Sequence, residues 1–143
     1  MAKINLLTPA EKAGLELEFA QAIHAGFPSP ATDYAGDRID IVREMSRHPE
    51  TTFYAMVSGE SMKEAGIQNG DIVVIDKSLE PKNGDIIIAA VDGEFTIKEF
   101  RMDAANHCAW LIPHNDRYQP IRVTQEDNFS VWGVVTHTIH KFR

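Results

Sequence analysis

The sequence predicts a mainly β domain that follows a partly helical or extended N-terminal arm. From about residue 50 onward, short runs rich in β-branched and aromatic residues alternate with turns that contain glycine or proline. Residues 70–74 and 84–88 repeat the same start, a Gly-Asp turn followed by three aliphatic residues. Asp92-Gly93 stands between two further runs, and this dipeptide is a strong signal for a two-residue hairpin turn. These features favour a compact sheet domain over residues 50–143.

The length and composition of the chain limit the classes of protein to which it can belong. At 143 residues, with 43% hydrophobic and 24% charged residues, the chain is long enough for one globular domain with a buried core. The formal net charge of -7 disfavours high-affinity DNA binding, because an acidic surface repels phosphate. Cys108 is the only cysteine, so we expect no internal disulfide and a reducing, cytoplasmic location. No signal peptide, transmembrane helix, phosphate-binding loop or cofactor is predicted.

Residues 1–30 are the predicted arm. Thr8-Pro9-Ala10-Glu11 has the form of a capping box with proline at the first helical position, so a helix is expected to begin there. Its apolar stripe would consist of Leu15, Phe19, Ala22 and Ile23. Pro28 and Pro30 favour extended backbone in the residues before them and end any helix. The segment around Ala25-Gly26 is then either a plain linker or an extended peptide that a protease cleft can accept.

Residues 31–49 are predicted to form a short helical connector. Ile39, Val42 and Met45 recur every three residues within 37–48, and the run stops at Pro49. A short amphipathic helix is the simplest account of this spacing.

The region after residue 50 is predicted to be built from strands and one well-defined hairpin. If Asp92-Gly93 is the hairpin turn, Val91 lies opposite Glu94 and Ile87 lies opposite Lys98. The predicted strands cover residues 52–57, 71–76, 85–91, 94–100, 110–112, 121–123 and 129–136.

Ser61 and Lys98 are the candidate catalytic residues. Ser61 follows the strand-like run 52–57 and a glycine, an arrangement that can leave a hydroxyl exposed at the end of a strand. A serine hydroxyl needs a neighbouring base to become a nucleophile, and a lysine is one recognised partner. The hairpin register places Lys98 among Thr96, Phe100, Ile87 and Ala89, and an apolar setting lowers the pKa of a lysine. Ordinary turn chemistry around Ser61 and a solvated surface lysine at position 98 are the alternatives.

No metal site is predicted. The histidines His107, His114, His137 and His140, together with Cys108, lack a convincing ligand spacing, because strand positions three apart point to opposite faces. Asp71, Asp85 and Asp92 each neighbour a glycine and are typical of turns.

The chain resembles the self-cleaving LexA/UmuD family of serine-lysine peptidases over roughly residues 24–140. The spacing of 37 positions from Ser61 to Lys98 also fits the family. The matching segments are Ala25 to Pro30, Arg38-Ile39-Asp40, Ser58 to Met62, Gly70-Asp71, and Gly84 to Lys98. The resemblance implies a LexA/signal-peptidase-like domain of several small curled sheets. It also implies that Ser61 is the nucleophile, that Lys98 is the general base, and that Ala25-Gly26 is the bond cut in the protein's own chain.

The resemblance also implies partners. Members of the UmuD branch are homodimers, a RecA filament on single-stranded DNA stimulates their cleavage, and the shortened product joins a UmuC-type polymerase in error-prone DNA synthesis after DNA damage. This chain departs from that branch at Ala25, where UmuD proteins have cysteine. For the oxyanion formed during acyl transfer, the Ser61 backbone N–H is the preferred donor and the Ser58 hydroxyl is a weaker candidate.

Three alternatives to this function stay open. A LexA-like repressor would need a DNA-binding domain, for which the expected 25 residues before the cleavage site are too few. A signal-peptidase-like enzyme would need a membrane anchor. A non-catalytic protein-interaction module would leave Ser61 and Lys98 without a role.

Overall fold

The predicted mainly β architecture is confirmed by the computed structural model, which describes residues 3–25 and 40–143. The two helices are α1 (Pro9–Ala25) and α2 (Ile41–Met45). The strands are β1 (Lys3–Leu6), β2 (Thr52–Ser58), β3 (Ile72–Asp76), β4 (Ile86–Val91), β5 (Glu94–Asp103), β6 (Cys108–Ile112), β7 (Ile121–Val123) and β8 (Phe129–Ile139).

The strands form one hydrogen-bonded series in the order β1-β2-β3-β8-β4-β5-β6-β7, and every neighbouring pair is antiparallel. The long strand β8 joins the two halves, because it pairs with both β3 and β4. Its register shifts against β3 between Val74 and Ile75, and against β4 between Ile88 and Ala89. Such irregularities increase local twist and bend a sheet, which explains the curled shape.

The β4–β5 hairpin has the predicted register. Val91 pairs with Glu94 and Ile87 pairs with Lys98. Asp92 and Gly93 both have positive φ angles, of 52° and 81°, as the tight turn between twisted strands requires. The turn chemistry therefore fixes which residues of β4 surround Lys98.

Strand β1 was not predicted from the sequence. It pairs with β2 so that Ile4 lies opposite Val57, and the Ile4 side chain joins the buried cluster that contains Val57 and Met62. A four-residue strand leaves too short a pattern to recognise, and pairing with β2 supplies the hydrogen bonds that stabilise it.

Helix α1 begins as the sequence predicts. Thr8 Oγ1 accepts a hydrogen bond from the Glu11 N–H, and the Glu11 carboxylate accepts from both the Thr8 N–H and its hydroxyl. Leu15 packs against the buried cluster of Met45, Tyr54 and Val74. The other predicted stripe positions, Phe19, Ala22 and Ile23, belong to α1, but their side chains lie outside the described part of the structure.

Helix α2 is shorter than the helix predicted over residues 37–48. Asp40 caps its first turn by accepting a hydrogen bond from the Arg43 N–H, and Ser46 ends it after five residues. A single 3₁₀ turn, Pro49–Thr51, then leads into β2. Residues 37–39 lie outside the described part. In residues 3–25 and 40–143, no helix is both long and apolar enough to cross a membrane.

Candidate active site

Ser61 lies in a tight turn just after β2. Gly59 has a φ of 103°, a conformation that favours glycine, and its N–H donates to Asn69 Oδ1 at 2.9 Å. The chain then passes through Ser61 into a 3₁₀ turn, Lys63–Ala65. Ser61 is completely buried, with 0% of its surface exposed. The expectation of an exposed hydroxyl is therefore wrong, because the glycine turn brings the serine under the surface at the end of a core strand.

Lys98 lies near the middle of β5 and is 1% exposed. Its amine donates to Thr96 Oγ1 at 2.8 Å and to the Ile97 carbonyl oxygen at 3.0 Å. Its distance to Ser61 Oγ is 3.1 Å. The fold therefore brings together the two candidates that the sequence separates by 37 residues.

Burial lowers the pKa of Lys98 from 10.5 to about 8, because a desolvated ammonium is less stable than a neutral amine. Among the described residues, the hydrogen-bond partners of the amine are two hydroxyls and one backbone carbonyl, so no carboxylate there offsets this effect. A neutral amine has two N–H bonds and one lone pair. With the N–H bonds directed to Thr96 and Ile97, the lone pair is left for the hydroxyl proton of Ser61.

Loop residues from the β6–β7 connection brace the Ser61 turn. The His114 N–H donates to the Ser61 carbonyl at 2.8 Å, and the Glu64 N–H donates to the His114 carbonyl at 2.9 Å. The Asn115 side chain donates to the Glu60 carbonyl at 2.8 Å. The sequence gives no signal for Asn115, since an asparagine two residues after a proline is typical of any loop, and it indicated His114 only as a possible metal ligand.

The other predicted site residues are Ser58, Ala25 and Gly26. Ser58 ends β2 with an exposed side chain, opposite Lys3 of β1. Ala25 is the last residue of α1, and Gly26 lies outside the described residues.

Two of the histidines considered as metal ligands contact carboxylates instead. His114 contacts Glu99, and His140 contacts Asp71. Within the described ranges, no three His, Cys, Asp or Glu residues are grouped so that they could hold a metal ion.

A buried amine in contact with a serine hydroxyl, at the end of a strand in a curled antiparallel sheet, is an arrangement suited to a serine peptidase domain. The comparison with known families agrees. Residues 18–136 match the family described as Peptidase S24-like, and the chain belongs to that family.

Individual relatives support the same assignment. The chain is 44% identical to Protein ImpA of Salmonella typhimurium over 125 residues, which cover 87% of this chain and 83% of ImpA. It is 39% identical to Protein MucA of Escherichia coli over 123 residues, covering 85% of this chain and 82% of MucA. It is also 36% identical to the LexA repressor of Carboxydothermus hydrogenoformans, covering 82% of this chain and 58% of the repressor. The resemblance to the LexA/UmuD family is confirmed, and family membership supports serine peptidase activity at the family level.

Proposed function

We propose that this protein is a self-cleaving serine endopeptidase that uses Ser61 as nucleophile and Lys98 as general base to cut its own Ala25-Gly26 bond. The observation that supports this most directly is the 3.1 Å contact between Lys98 Nζ and Ser61 Oγ, made where both side chains are buried. A structural lysine would gain nothing from being desolvated without a counter-charge. A base gains a pKa near neutrality.

In the proposed reaction, the neutral Lys98 amine takes the Ser61 hydroxyl proton as Oγ attacks the Ala25 carbonyl carbon. The tetrahedral oxyanion is stabilised by the Ser61 backbone N–H, with the Ser58 hydroxyl as the weaker candidate. Lys98 then gives the proton to the departing Gly26 amine, and the acyl group stays on Ser61. In a second step water attacks this ester and gives a proton to Lys98. Lys98 passes that proton to the departing Ser61 Oγ, which restores the hydroxyl and the neutral amine as the Ala25 carboxylate is released.

The position of Ala25 means that a conformational change must precede the proposed reaction. In the described structure Ala25 is the last residue of α1, whereas a peptide in a narrow cleft is usually extended. The end of α1 must therefore open before Ala25 can reach Ser61. Cleavage is then controlled by the population of the opened arm, and an activator works by favouring that state.

The test is to incubate the purified chain at mildly alkaline pH and sequence the N-terminus of the larger product. We expect a new N-terminus at Gly26. Ser61→Ala and Lys98→Ala should each abolish the product while circular dichroism shows an intact sheet, because a nucleophile and its base act as one unit. Ser58→Ala should retain measurable cleavage. A Lys98→Ala variant that cuts at the wild-type rate would refute the assignment of the base.

The scissile bond has its own test. Gly26→Val should block cleavage without changing thermal stability, because a side chain at this position prevents close approach of the backbone to the cleft. Cleavage that continues in this variant would place the cut at another bond.

For the cellular role, we propose that the protein acts in the cytoplasm in the SOS response to DNA damage, and that its processed form is an accessory subunit of an error-prone translesion polymerase. The chain is similar to ImpA and MucA over more than four fifths of each chain, and this similarity supports the proposed role. The proposed partners are a second copy of the chain, a RecA filament on single-stranded DNA as activator, and a UmuC-type polymerase.

These partners are tested separately. Sedimentation should give a dimer mass, and adding RecA with single-stranded DNA and ATP should accelerate cleavage of the wild type but not of Ser61→Ala. The Gly26–Arg143 product should co-purify with the polymerase better than the uncut chain does.

A transcriptional repressor is the second candidate, because the LexA repressor is among the relatives. The net charge of -7 argues against it, since duplex DNA would be repelled. Binding of the uncut chain to duplex DNA at physiological salt would favour this candidate. A chain that never cuts itself would favour the non-catalytic interaction module.

A further inference from the structure

Asn115 is a buried polar side chain in the loop between β6 and β7. It is 5% exposed, its Nδ2 donates to the Glu60 carbonyl at 2.8 Å, and its Oδ1 accepts from the Arg117 N–H at 3.1 Å. One partner is an acceptor and the other is a donor, so the two contacts together fix the orientation of the amide. A buried side chain with both ends used in this way holds two backbone segments at a set distance.

The same loop holds the peptide unit on the other side of Ser61. The His114 N–H donates to the Ser61 carbonyl at 2.8 Å. The His114 ring contacts Glu99 Oε1 at 3.0 Å, and Glu99 directly follows Lys98 on β5. Carbonyls on both sides of Ser61 are therefore held by one loop, which is also tied to the strand that presents the lysine.

Holding the Glu60 carbonyl also orients the Ser61 N–H. The peptide unit between Glu60 and Ser61 is planar and trans, so its N–H points in the direction opposite to its carbonyl. Rotation of this unit would turn the N–H away from its present direction. The bond from Asn115 opposes that rotation by fixing the carbonyl end.

We propose that Asn115 is a positioning residue for the oxyanion donor: it fixes the Glu60 carbonyl and thereby aims the Ser61 N–H at the oxygen of the reacting carbonyl. This rests on the proposed function and deepens it, because it names the group that orients the donor. Oxyanion donors stabilise the transition state only when they are fixed before the reaction. The side chain acts through the backbone and does not touch the substrate.

The experiment measures first-order self-cleavage of the full chain from pH 6 to pH 11 in wild type, Asn115→Leu and Asn115→Ala. Leucine has the same branched side-chain skeleton as asparagine, with methyl groups in place of the amide oxygen and nitrogen, and adds no charge. Alanine tests the same loss without the added bulk of the methyl groups. Asn83→Ala is the control for loss of an asparagine side chain–backbone bond away from the site: Asn83 Oδ1 accepts from the Met102 N–H at 2.7 Å, whereas Asn115 makes two such bonds. All rates are taken well below the unfolding midpoint of each variant.

We expect the limiting alkaline rate of both Asn115 variants to fall about 10- to 100-fold. This is less than the roughly 100- to 1,000-fold loss that follows removal of an oxyanion donor, because the Ser61 N–H is still present but is less well oriented. The pH midpoint should stay at its wild-type value, because the burial of Lys98 is unchanged. Asn83→Ala should cleave like wild type. A merely structural role would lower the rate and shift the midpoint together as water reached Lys98.

Wild-type limiting rates in the Asn115 variants, or a shifted midpoint, would overturn the proposal. If the leucine variant fails to fold, the alanine variant decides the question on the same two quantities. The Ser61→Ala variant distinguishes failure of the proposed function from failure of the role proposed for Asn115. Cleavage in that variant would refute the proposed function itself, whereas an inactive Ser61→Ala beside fully active Asn115 variants would refute only the role of Asn115.

Discussion

Two buried ionisable groups in this molecule have opposite surroundings. Lys98 contacts two hydroxyls and a carbonyl, and among the described residues it has no ion-pair partner. Asp76, at the end of β3, accepts hydrogen bonds from Thr51, from Ser78 and from His48, whose Nδ1 lies 2.6 Å away. Both side chains lie within the sheet domain, yet only one is suited to proton transfer.

The Asp76 cluster contains the three residue types of a serine-protease triad. Its geometry excludes that function, because His48 Nδ1 contacts Asp76 Oδ2 and also lies 3.4 Å from Ser78 Oγ. A triad needs the acid on one ring nitrogen and the serine on the other. Here the cluster fastens the turn before β2 to the turn after β3, which is a structural role.

The pKa shifts of Asp76 and Lys98 reflect this difference in their surroundings. Desolvation raises the pKa of Asp76, but the hydrogen bonds from Ser78, His48 and Thr51 outweigh it and hold the pKa well below its usual range. At Lys98 desolvation acts alone and lowers the pKa to about 8. A buried group whose charge is fully satisfied stays charged and inert, whereas one whose charge is left unsatisfied can lose its proton near neutral pH.

The largest expected effect comes from exchanging the base. Lys98→Arg keeps the positive charge, but a guanidinium does not lose its proton in this pH range, so self-cleavage should fall at least about 1,000-fold. His48→Ala should cleave within about twofold of wild type, because His48 is not a base in the reaction. Product formation on gels over several days measures both. Loss of cleavage in His48→Ala with the fold intact would mean that the Asp76 cluster takes part in the chemistry.

A second prediction concerns stability and is made in the Ser61→Ala background, which prevents cleavage. The unfolded chain binds a proton at Lys98 below pH 10.5, whereas the folded chain does so only below about pH 8. Stability should therefore rise between these two values, on the order of 3 kcal/mol in total. Urea unfolding of Ser61→Ala from pH 7 to pH 10.5, compared with Ser61→Ala combined with Lys98→Met, isolates this contribution. Parallel pH curves for the two proteins would show that Lys98 is not desolvated.

Asp76→Asn should give a smaller effect, and its pH dependence lies in the acidic range. The lowered pKa means that the carboxylate stabilises the fold above its ordinary pKa of about 4, and that this contribution is lost as the solution becomes more acidic. Replacing the charged acceptor should cost about 1–2 kcal/mol at pH 7. Urea unfolding from pH 7 to pH 3 should show the difference from wild type shrinking. A difference that grows on acidification would contradict the hydrogen-bond account.

The same contrast shows which parts of the site the sequence could predict. The Asp92-Gly93 turn fixed the hairpin register, and the register placed Lys98 opposite Ile87, so the apolar setting of the lysine followed from local rules. The Thr8–Glu11 capping box likewise placed the start of α1. These predictions succeeded because each depends on residues that are near one another in the chain.

The features of the fold and site that the sequence did not predict depend on contacts between distant segments. Asn115 meets Glu60 across 55 positions, and β1 meets β2 across about 50, so neither leaves a local pattern. The length of α2 was overestimated because the spacing of apolar residues gives a helix face but not its caps. The cap at Asp40 and the end at Ser46 become visible only with the backbone in place.

The smallest predicted effect, the pH dependence of the cleavage rate, tests the central claim about Lys98. Only the neutral amine accepts the Ser61 proton, and with a pKa of about 8 roughly a tenth of the molecules are neutral at pH 7. The rate should therefore rise about tenfold between pH 7 and pH 10 and then level off, with its midpoint near pH 8. His48→Ala should follow the same curve, because the His48 ring belongs to the Asp76 cluster.

The measurement is the first-order rate in buffers of constant ionic strength, with circular dichroism at each pH to show that the chain stays folded. A midpoint near 10.5 would mean that the amine is solvated when it reacts. A rate that stays flat or falls in alkali would exclude Lys98 as the base.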